Sequence, residues 1–231
     1  MALVDKPAGP SSFALVAALR RRTGARTGHT GTLDPFATGL LVLLSGAATR
    51  LAPCFSGLEK RYVTDVDLTA TTTTGDPEGE VVERHDPLPD LEAALEPLRG
   101  EVELPIPAAS AVKIGGERAY RLQRRGVTVE MPLRRSLVYS LDVLATSPAS
   151  VRLAAHVSSG TYIRSLAQAL GGHCTSLRRT AVGPFEVDDA APVEQATLLP
   201  VADALARLPD DALDRVAAGV RESVLALGAA T

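Results

Sequence analysis

Apolar and polar positions follow two different periods along the chain, and the changes of period predict its elements. Leu15, Val16 and Leu19 recur at helical spacing behind Ser11-Ser12, so Phe13–Arg22 is predicted as an N-capped helix that Gly24 ends. Arg61–Leu68 alternates, with Tyr62, Thr64, Val66 and Leu68 on one face, which predicts a half-buried strand. Val151–Val157 alternates in the same way; Gly160 breaks it, and Thr161–Leu170 is predicted as a helix. The unbroken apolar run Leu40–Leu44 fits a helix or a buried strand equally well. Residues 69–79 form a turn-rich connection, Asp90 caps a short helix over Leu91–Leu98, and 104–110 is Pro-rich and extended. Gly115-Gly116 marks a tight turn before a basic helix at Glu117–Arg125. From about residue 200 Ala, Leu and acids dominate, and helical segments are expected at 198–207 and 210–226. This order predicts an α+β fold with a central mixed, mainly antiparallel sheet flanked by helices. The expected organisation is one catalytic domain over 1–200 and a short helical tail over 201–231.

Composition narrows the class. With 45% hydrophobic residues among 231 the chain can bury a core, and with 3% aromatics and no Trp that core is aliphatic. Cys54 and Cys174 belong to no CxxC or Cys/His cluster, which fits reduced thiols in a cytoplasmic protein. No charged-then-apolar leader opens the sequence, and no apolar run approaches the roughly 20 residues that span a bilayer. The net charge of −3 looks wrong for a nucleic-acid binder, but its distribution does not. Residues 76–103 carry ten acids against two bases and residues 186–231 nine against three, so the rest of the chain is strongly basic. Arg20, Arg21, Arg22, Arg26, Arg118, Arg121, Arg124, Arg125, Arg134, Arg135, Arg178 and Arg179 lie there. Local basic surface, not net charge, attracts phosphates. The sequence has no P-loop, no Rossmann glycine pattern and no HExxH, so no cofactor is expected.

Residues 28–39, GHTGTLDPFATG, hold three glycines and a proline in twelve positions and demand a structured loop. Asp34 stands between Leu33 and Pro35, and a following proline biases it away from helical geometry. Glycines let a backbone approach a ligand closely. An Asp in a loop is most often a turn former or a cap, and on spacing alone that reading outweighs catalysis.

The same string resembles the signature loop of the TruB family, which makes pseudouridine in the T-loop of tRNA. Leu3-Val4-Asp5-Lys6-Pro7-Ala8-Gly9 resembles the family's DKP-G segment, and Lys60-Arg61-Tyr62 its KRY strand. Ser110-Ala111-Val112-Lys113, with Gly115-Gly116 and Ala119-Tyr120 after it, resembles the SAVK-GG-AY segment. Gly160-Thr161-Tyr162-Ile163-Arg164 resembles GTYIR, and Leu177-Arg178-Arg179-Thr180 resembles LRRT. The matches stand in family order over residues 2–200.

The resemblance implies a pseudouridine synthase fold with an RNA-binding cleft across the sheet. It implies a cofactor-free isomerisation of uridine-55 in tRNA, with Asp34 as the catalytic aspartate. Attack on C1′, attack on the ring and proton abstraction from C2′ all remain open for that carboxylate. An ionised acid in a dry pocket needs a cation beside it, and Arg164 matches the family arginine that pairs with it. Tyr62 matches the tyrosine that stacks on the target base, and His29 the histidine inserted where the base departs. Lys6, Lys60, Lys113, Arg178 and Arg179 are read as phosphate contacts or pocket supports, and Tyr162 as packing beneath the site. A stand-alone monomer of bacterial type is expected to act on tRNA without protein partners. Three other readings compete. They are a tRNA-folding chaperone without turnover, a glycoside hydrolase with Glu59 or Asp65 as second carboxylate, and the guide-dependent synthase of the same family.

Two departures from the pattern stand out. Ala109 occupies the place of an aromatic before SAVK, and Gly171–Cys174 is shorter than usual between GTYIR and LRRT. The sequence after residue 200 is expected to be a truncated remnant of a C-terminal RNA-binding module.

Overall fold

The first helix shows how closely local sequence sets this chain's geometry. In the computed structural model, which describes residues 1–86, 90–127 and 129–214, α1 spans Ser12–Thr23 behind strand β1 (Ala2–Lys6). The Ser11 hydroxyl accepts from the Ala14 N–H, and Gly24 closes the helix in the left-handed region at φ 67°. Ser12, Leu15, Val16 and Leu19 form its buried face. Strands β2 (Thr27–His29) and β3 (Thr38–Ser45) follow, then the short helix α2 (Ala52–Ser56). The run Leu40–Leu44 is therefore a strand, buried on both faces.

The described residues group into two compact units. One holds residues 1–61 with those from Arg178 onward, and the other Tyr62–Leu177. In the second unit, β4 (Lys60–Asp67) leads into a hairpin of β5 (Ala70–Thr72) and β6 (Val81–Arg84). Helix α3 (Leu91–Leu95) follows, capped by Asp90, whose carboxylate accepts from Ala93 N–H at 3.0 Å. Strand β7 (Gly100–Pro105) precedes a small hairpin, β8 (Lys113–Ile114) and β9 (Glu117–Arg118), which turns at Gly115-Gly116 and runs into α4 (Ala119–Arg124). The long β10 (Leu133–Thr146), β11 (Ser150–Val157), α5 (Ile163–Ala169) and β12 (His173–Val182) complete the sequence. Strand order in this unit is β12-β4-β11-β10-β7. The burial of β4 alternates as its sequence predicts, with Lys60, Tyr62, Thr64 and Val66 inward.

In the first unit β1 and β2 run antiparallel to β3, and the end of β12 runs parallel to it, with Arg179 opposite Gly39. Strand β13 (Phe185–Glu186) folds back on β12, and α6 (Val201–Leu205) follows. The architecture is thus α+β with a mixed sheet in which antiparallel pairs predominate. Most strands besides β4 and β11 went unread in the sequence, the long β10 and β12 among them, and Glu117–Arg118, expected in a helix, is the strand β9. β7 and β10 pair with each other, β7 half exposed and β10 mostly so, and β12 hides a buried arginine that reads as surface charge.

Residues past 200 contribute to the core. Ala204, Leu208 and Ala212 are buried in one cluster with Met1, Leu40, Leu44, Phe55 and Phe185. Residues 210–214 are helical; the rest of the helix expected to residue 226 lies outside the described residues. Truncating a buried leucine removes transfer energy and leaves a cavity. Leu208→Ala should therefore lower unfolding free energy by about 2–4 kcal/mol in urea denaturation. An unchanged midpoint would mean that this segment adds nothing to the core.

Candidate active site

The loop between β2 and β3 owes its shape to cations that bond its backbone. Lys6, at the end of β1, is wholly buried, and its Nζ donates to the carbonyls of Pro7 at 2.9 Å, Pro35 at 3.0 Å and Ala37 at 2.6 Å. Pro35 and Ala37 lie just after Asp34, so this one amine fixes the descending side of the loop. Arg179, 2% exposed, fixes the other side. Its Nε donates to Leu40 carbonyl at 2.7 Å, its Nη2 to Gly31 at 3.1 Å and its Nη1 to Thr32 at 3.4 Å. The Ser12 hydroxyl clamps Leu33, donating to its carbonyl and accepting from its N–H, each at 2.8 Å. A turn bond from Ala37 N–H to the Asp34 carbonyl at 3.2 Å closes the arrangement. Asp34 is half-buried at its apex.

Gly39 is required where the loop enters β3. Its φ is +99°, and a Cβ there would stand 2.2 Å from the Arg179 carbonyl oxygen. The parallel register of β12 on β3, and with it the reach of Arg179 to the loop, depends on that close approach.

His29 ends β2, half-buried, and its Nδ1 is buried without a hydrogen-bond partner in the described structure. Burial, and next the charge of Arg179, hold its pKa below the ordinary histidine value, so the ring is neutral at neutral pH. Lys60 is 6% exposed and donates to the carbonyls of Ser56 and Leu58. Burial first, then Arg179, push its pKa down to about 8. Lys6 and Lys60 are therefore supports of the fold around the site. Arg178 is partly exposed and forms a two-pronged pair with Asp5, at 3.1 and 2.9 Å.

In the second unit, Tyr62 lies on the inward face of β4, 8% exposed. Tyr162 occupies the N-cap position of α5, and Arg164 stands in that helix's first turn. Arg164 is no surface charge: it is 2% exposed. Its Nη1 donates to the Thr74 carbonyl at 2.8 Å and to Asp76 Oδ2 at 3.1 Å, and its Nη2 donates to the Ala109 carbonyl at 2.9 Å. The guanidinium engages Ala109 through its backbone, so the missing aromatic side chain does not remove this support. Lys113 is exposed on its hairpin. Asp65, weighed as a second carboxylate, is taken up by Arg152 at 2.8 and 2.9 Å and by Ser176 at 2.6 Å.

Sequence reasoning missed Asp76. It is 3% exposed, and besides Arg164 it accepts from the Thr74 hydroxyl and the Glu78 N–H. The string TTTTGDPEG reads as a turn, and Asp76 does shape that turn. A buried ion pair is a long-range fact that no local spacing carries. Ser12 was read as part of a helix start, and its second task of holding Leu33 was equally invisible.

A family model described as TruB family pseudouridylate synthase (N terminal domain) matches residues 20–163. Proteins called tRNA pseudouridine synthase B from Thermobifida fusca (strain YX) and Mycobacterium sp. (strain KMS) are each 44% identical to this chain. The alignments cover 88% and 83% of this chain and 78% and 70% of those proteins. The protein of that name from Geobacillus kaustophilus (strain HTA426) is 37% identical, over 96% of this chain and 89% of its own length. Among solved structures, a chain of a Cbf5-Nop10-Gar1 complex superposes with a TM-score of 0.62 at 29% identity, over 82% of this chain. A chain of an H/ACA RNP bound to a substrate RNA containing 2′-deoxyuridine gives 0.60 at 25% identity, over 84%. This chain spans 51% of the length of each of those two solved chains. No helix among the described residues is long and apolar enough to cross a membrane.

Two predictions follow from the buried cations. Lys6→Met strips the carbonyls of Pro35 and Ala37 of their donor and should cost about 2–4 kcal/mol of unfolding free energy. Wild-type stability in that variant would contradict the bracing role. Lys60 adds a pH dependence, because the folded chain holds its proton less tightly than the unfolded chain. Burying the charged amine costs stability below pH 8, and that cost fades as pH rises from about 8 toward 10.5. Denaturation midpoints across this range should show a rising component in wild type that Lys60→Met lacks.

Proposed function

This chain belongs to the TruB family of pseudouridylate synthases, and from that premise we propose that it isomerises uridine-55 in the T-loop of tRNA to pseudouridine, with Asp34 as the catalytic carboxylate. The reaction breaks the N1–C1′ bond of the nucleotide, turns the base, joins C5 to C1′, and passes the C5 proton to solvent while N1 regains one. It is redox-neutral and takes no group donor, so no cofactor is assigned.

The observation that carries the reading is the loop itself. Asp34 is half-buried at the apex of a segment held on both sides by buried cations bonded to its carbonyls. A carboxylate held this way meets its target without first being ordered, which is the main demand of catalysis by positioning. In this reading Arg164 is the cation that keeps Asp34 ionised, and its own fixed hydrogen bonds suit it to that task. Tyr62 stacks on the uracil and Tyr162 packs beneath the site. His29, neutral at working pH, occupies the place the base leaves. Lys113 and Arg178 contact tRNA phosphates. The protein acts as a monomer in the cytoplasm.

The test is tritium release from tRNA labelled at C5 of uridine. Wild type releases tritium, and Asp34→Asn should be slower by about 10⁴-fold or more while binding tRNA with affinity within a few-fold. Release by Asp34→Asn at the wild-type rate would overturn the assignment. Free uracil liberated from the nucleoside, with its C5 label retained, would favour the hydrolase reading instead.

A further inference from the structure

The hairpin of β5 and β6 is fastened to α5 at three levels. At the start of the helix, Asp76 in the hairpin turn holds Arg164 at 3.1 Å. In the helix's last turn, Gln168 Nε2 donates to the Thr72 carbonyl at 3.5 Å. Beyond the end of the helix, His85, the residue after β6, brings Nε2 to 2.6 Å from the Gly171 carbonyl oxygen. Its Nδ1 lies 2.8 Å from the carbonyl oxygen of Asp86. Carbonyl oxygens only accept hydrogen bonds, and a neutral imidazole has a single N–H. Only the imidazolium makes both contacts at once.

We infer that His85 is a positioning residue for the buried Arg164–Asp76 pair, acting as a protonation-dependent clasp that holds the hairpin to the turn after α5. The inference rests on the reading of Arg164 as the arginine of the reaction. Protonated, His85 ties the base of the hairpin to Gly171, and the hairpin presents Asp76 to the other end of the same helix. Deprotonated, the ring has one N–H to share between the Asp86 and Gly171 carbonyls, so the tie to Gly171 is held only part of the time and the third level weakens. The guanidinium then loses part of what fixes its orientation.

The surroundings favour the charged ring. The Asp86 and Gly171 carbonyls raise its pKa above 6.5; burial opposes them weakly, and Glu83 on β6 and Asp67 at the end of β4 add to the rise. Arg84 and His173 act on Asp67 from β6 and β12, and Asp86 is the adjoining acid. Because the folded-state pKa is the higher one, the clasp is fully closed below the unfolded value of 6.5 and opens as pH rises through the folded value.

The test combines a titration with turnover. The ¹⁵N resonances of His85, assigned by comparison with His85→Gln, are followed with pH in the full chain. Turnover of tRNA is measured between about pH 6 and about pH 9 for wild type, His85→Gln and His85→Arg, with melting curves to show that each variant is folded. The expected midpoint for His85 lies above that of free histidine. Arginine keeps its donors at every pH. The ratio of wild-type to His85→Arg kcat should therefore fall by about three- to ten-fold as His85 deprotonates, with KM unchanged. His85→Gln should sit at the low value throughout. A His85 midpoint at or below that of free histidine, or a kcat ratio flat with pH, would overturn the inference. Failure of the catalytic reading shows separately, as full activity in Asp34→Asn.

Discussion

A buried lysine amine bonded to backbone carbonyls is the constraint on which the site depends. Lys6 has no exposure to solvent, and it donates to the carbonyls of Pro35 and Ala37 in the loop that carries Asp34. A buried polar group without partners is costly. The loop cannot move away from Lys6 without costing that amine the Pro35 and Ala37 carbonyls, and Lys6 cannot turn outward without abandoning them. Arg179 repeats the logic from β12, through Gly31, Thr32 and Leu40. A glycine-rich segment, which by composition should be loose, is thereby held like an element of secondary structure.

The same economy runs through the second unit. Arg164 meets two carbonyls and the Asp76 carboxylate, and Asp76 is in turn held by Thr74 and by the Glu78 N–H. A buried ion pair is seldom a net source of stability. It does fix orientation, and a guanidinium that serves a reaction needs its orientation fixed more than it needs binding energy. Charged side chains that a sequence-level view assigns to solvent or to phosphate are here structural: Lys6, Lys60 and Arg179 all bond main-chain oxygens.

What could be read from the sequence follows from the range of the interactions involved. α1 was legible because Ser11, its apolar spacing and Gly24 are all local signals, and β4 because its alternation reports one buried face. The site loop was legible as a loop, and its resemblance to a known signature singled out Asp34. β10 was illegible because Leu133, Leu137, Tyr139, Val143 and Leu144 are exposed, so its pattern lacks a clean polar face. Asp76 was illegible because its meaning depends on Arg164, 88 residues away. The boundary expected near residue 200 came from a shift in composition, and composition does not record that Ala204, Leu208 and Ala212 enter the core.

The central claim is that this braced carboxylate performs a single chemical change at a single nucleotide. Mapping pseudouridine along an unmodified tRNA after incubation with the purified chain tests it most directly. The account predicts conversion at uridine-55 in the T-loop and at no other uridine. Conversion elsewhere, or a tRNA left unchanged by the folded protein, would contradict it.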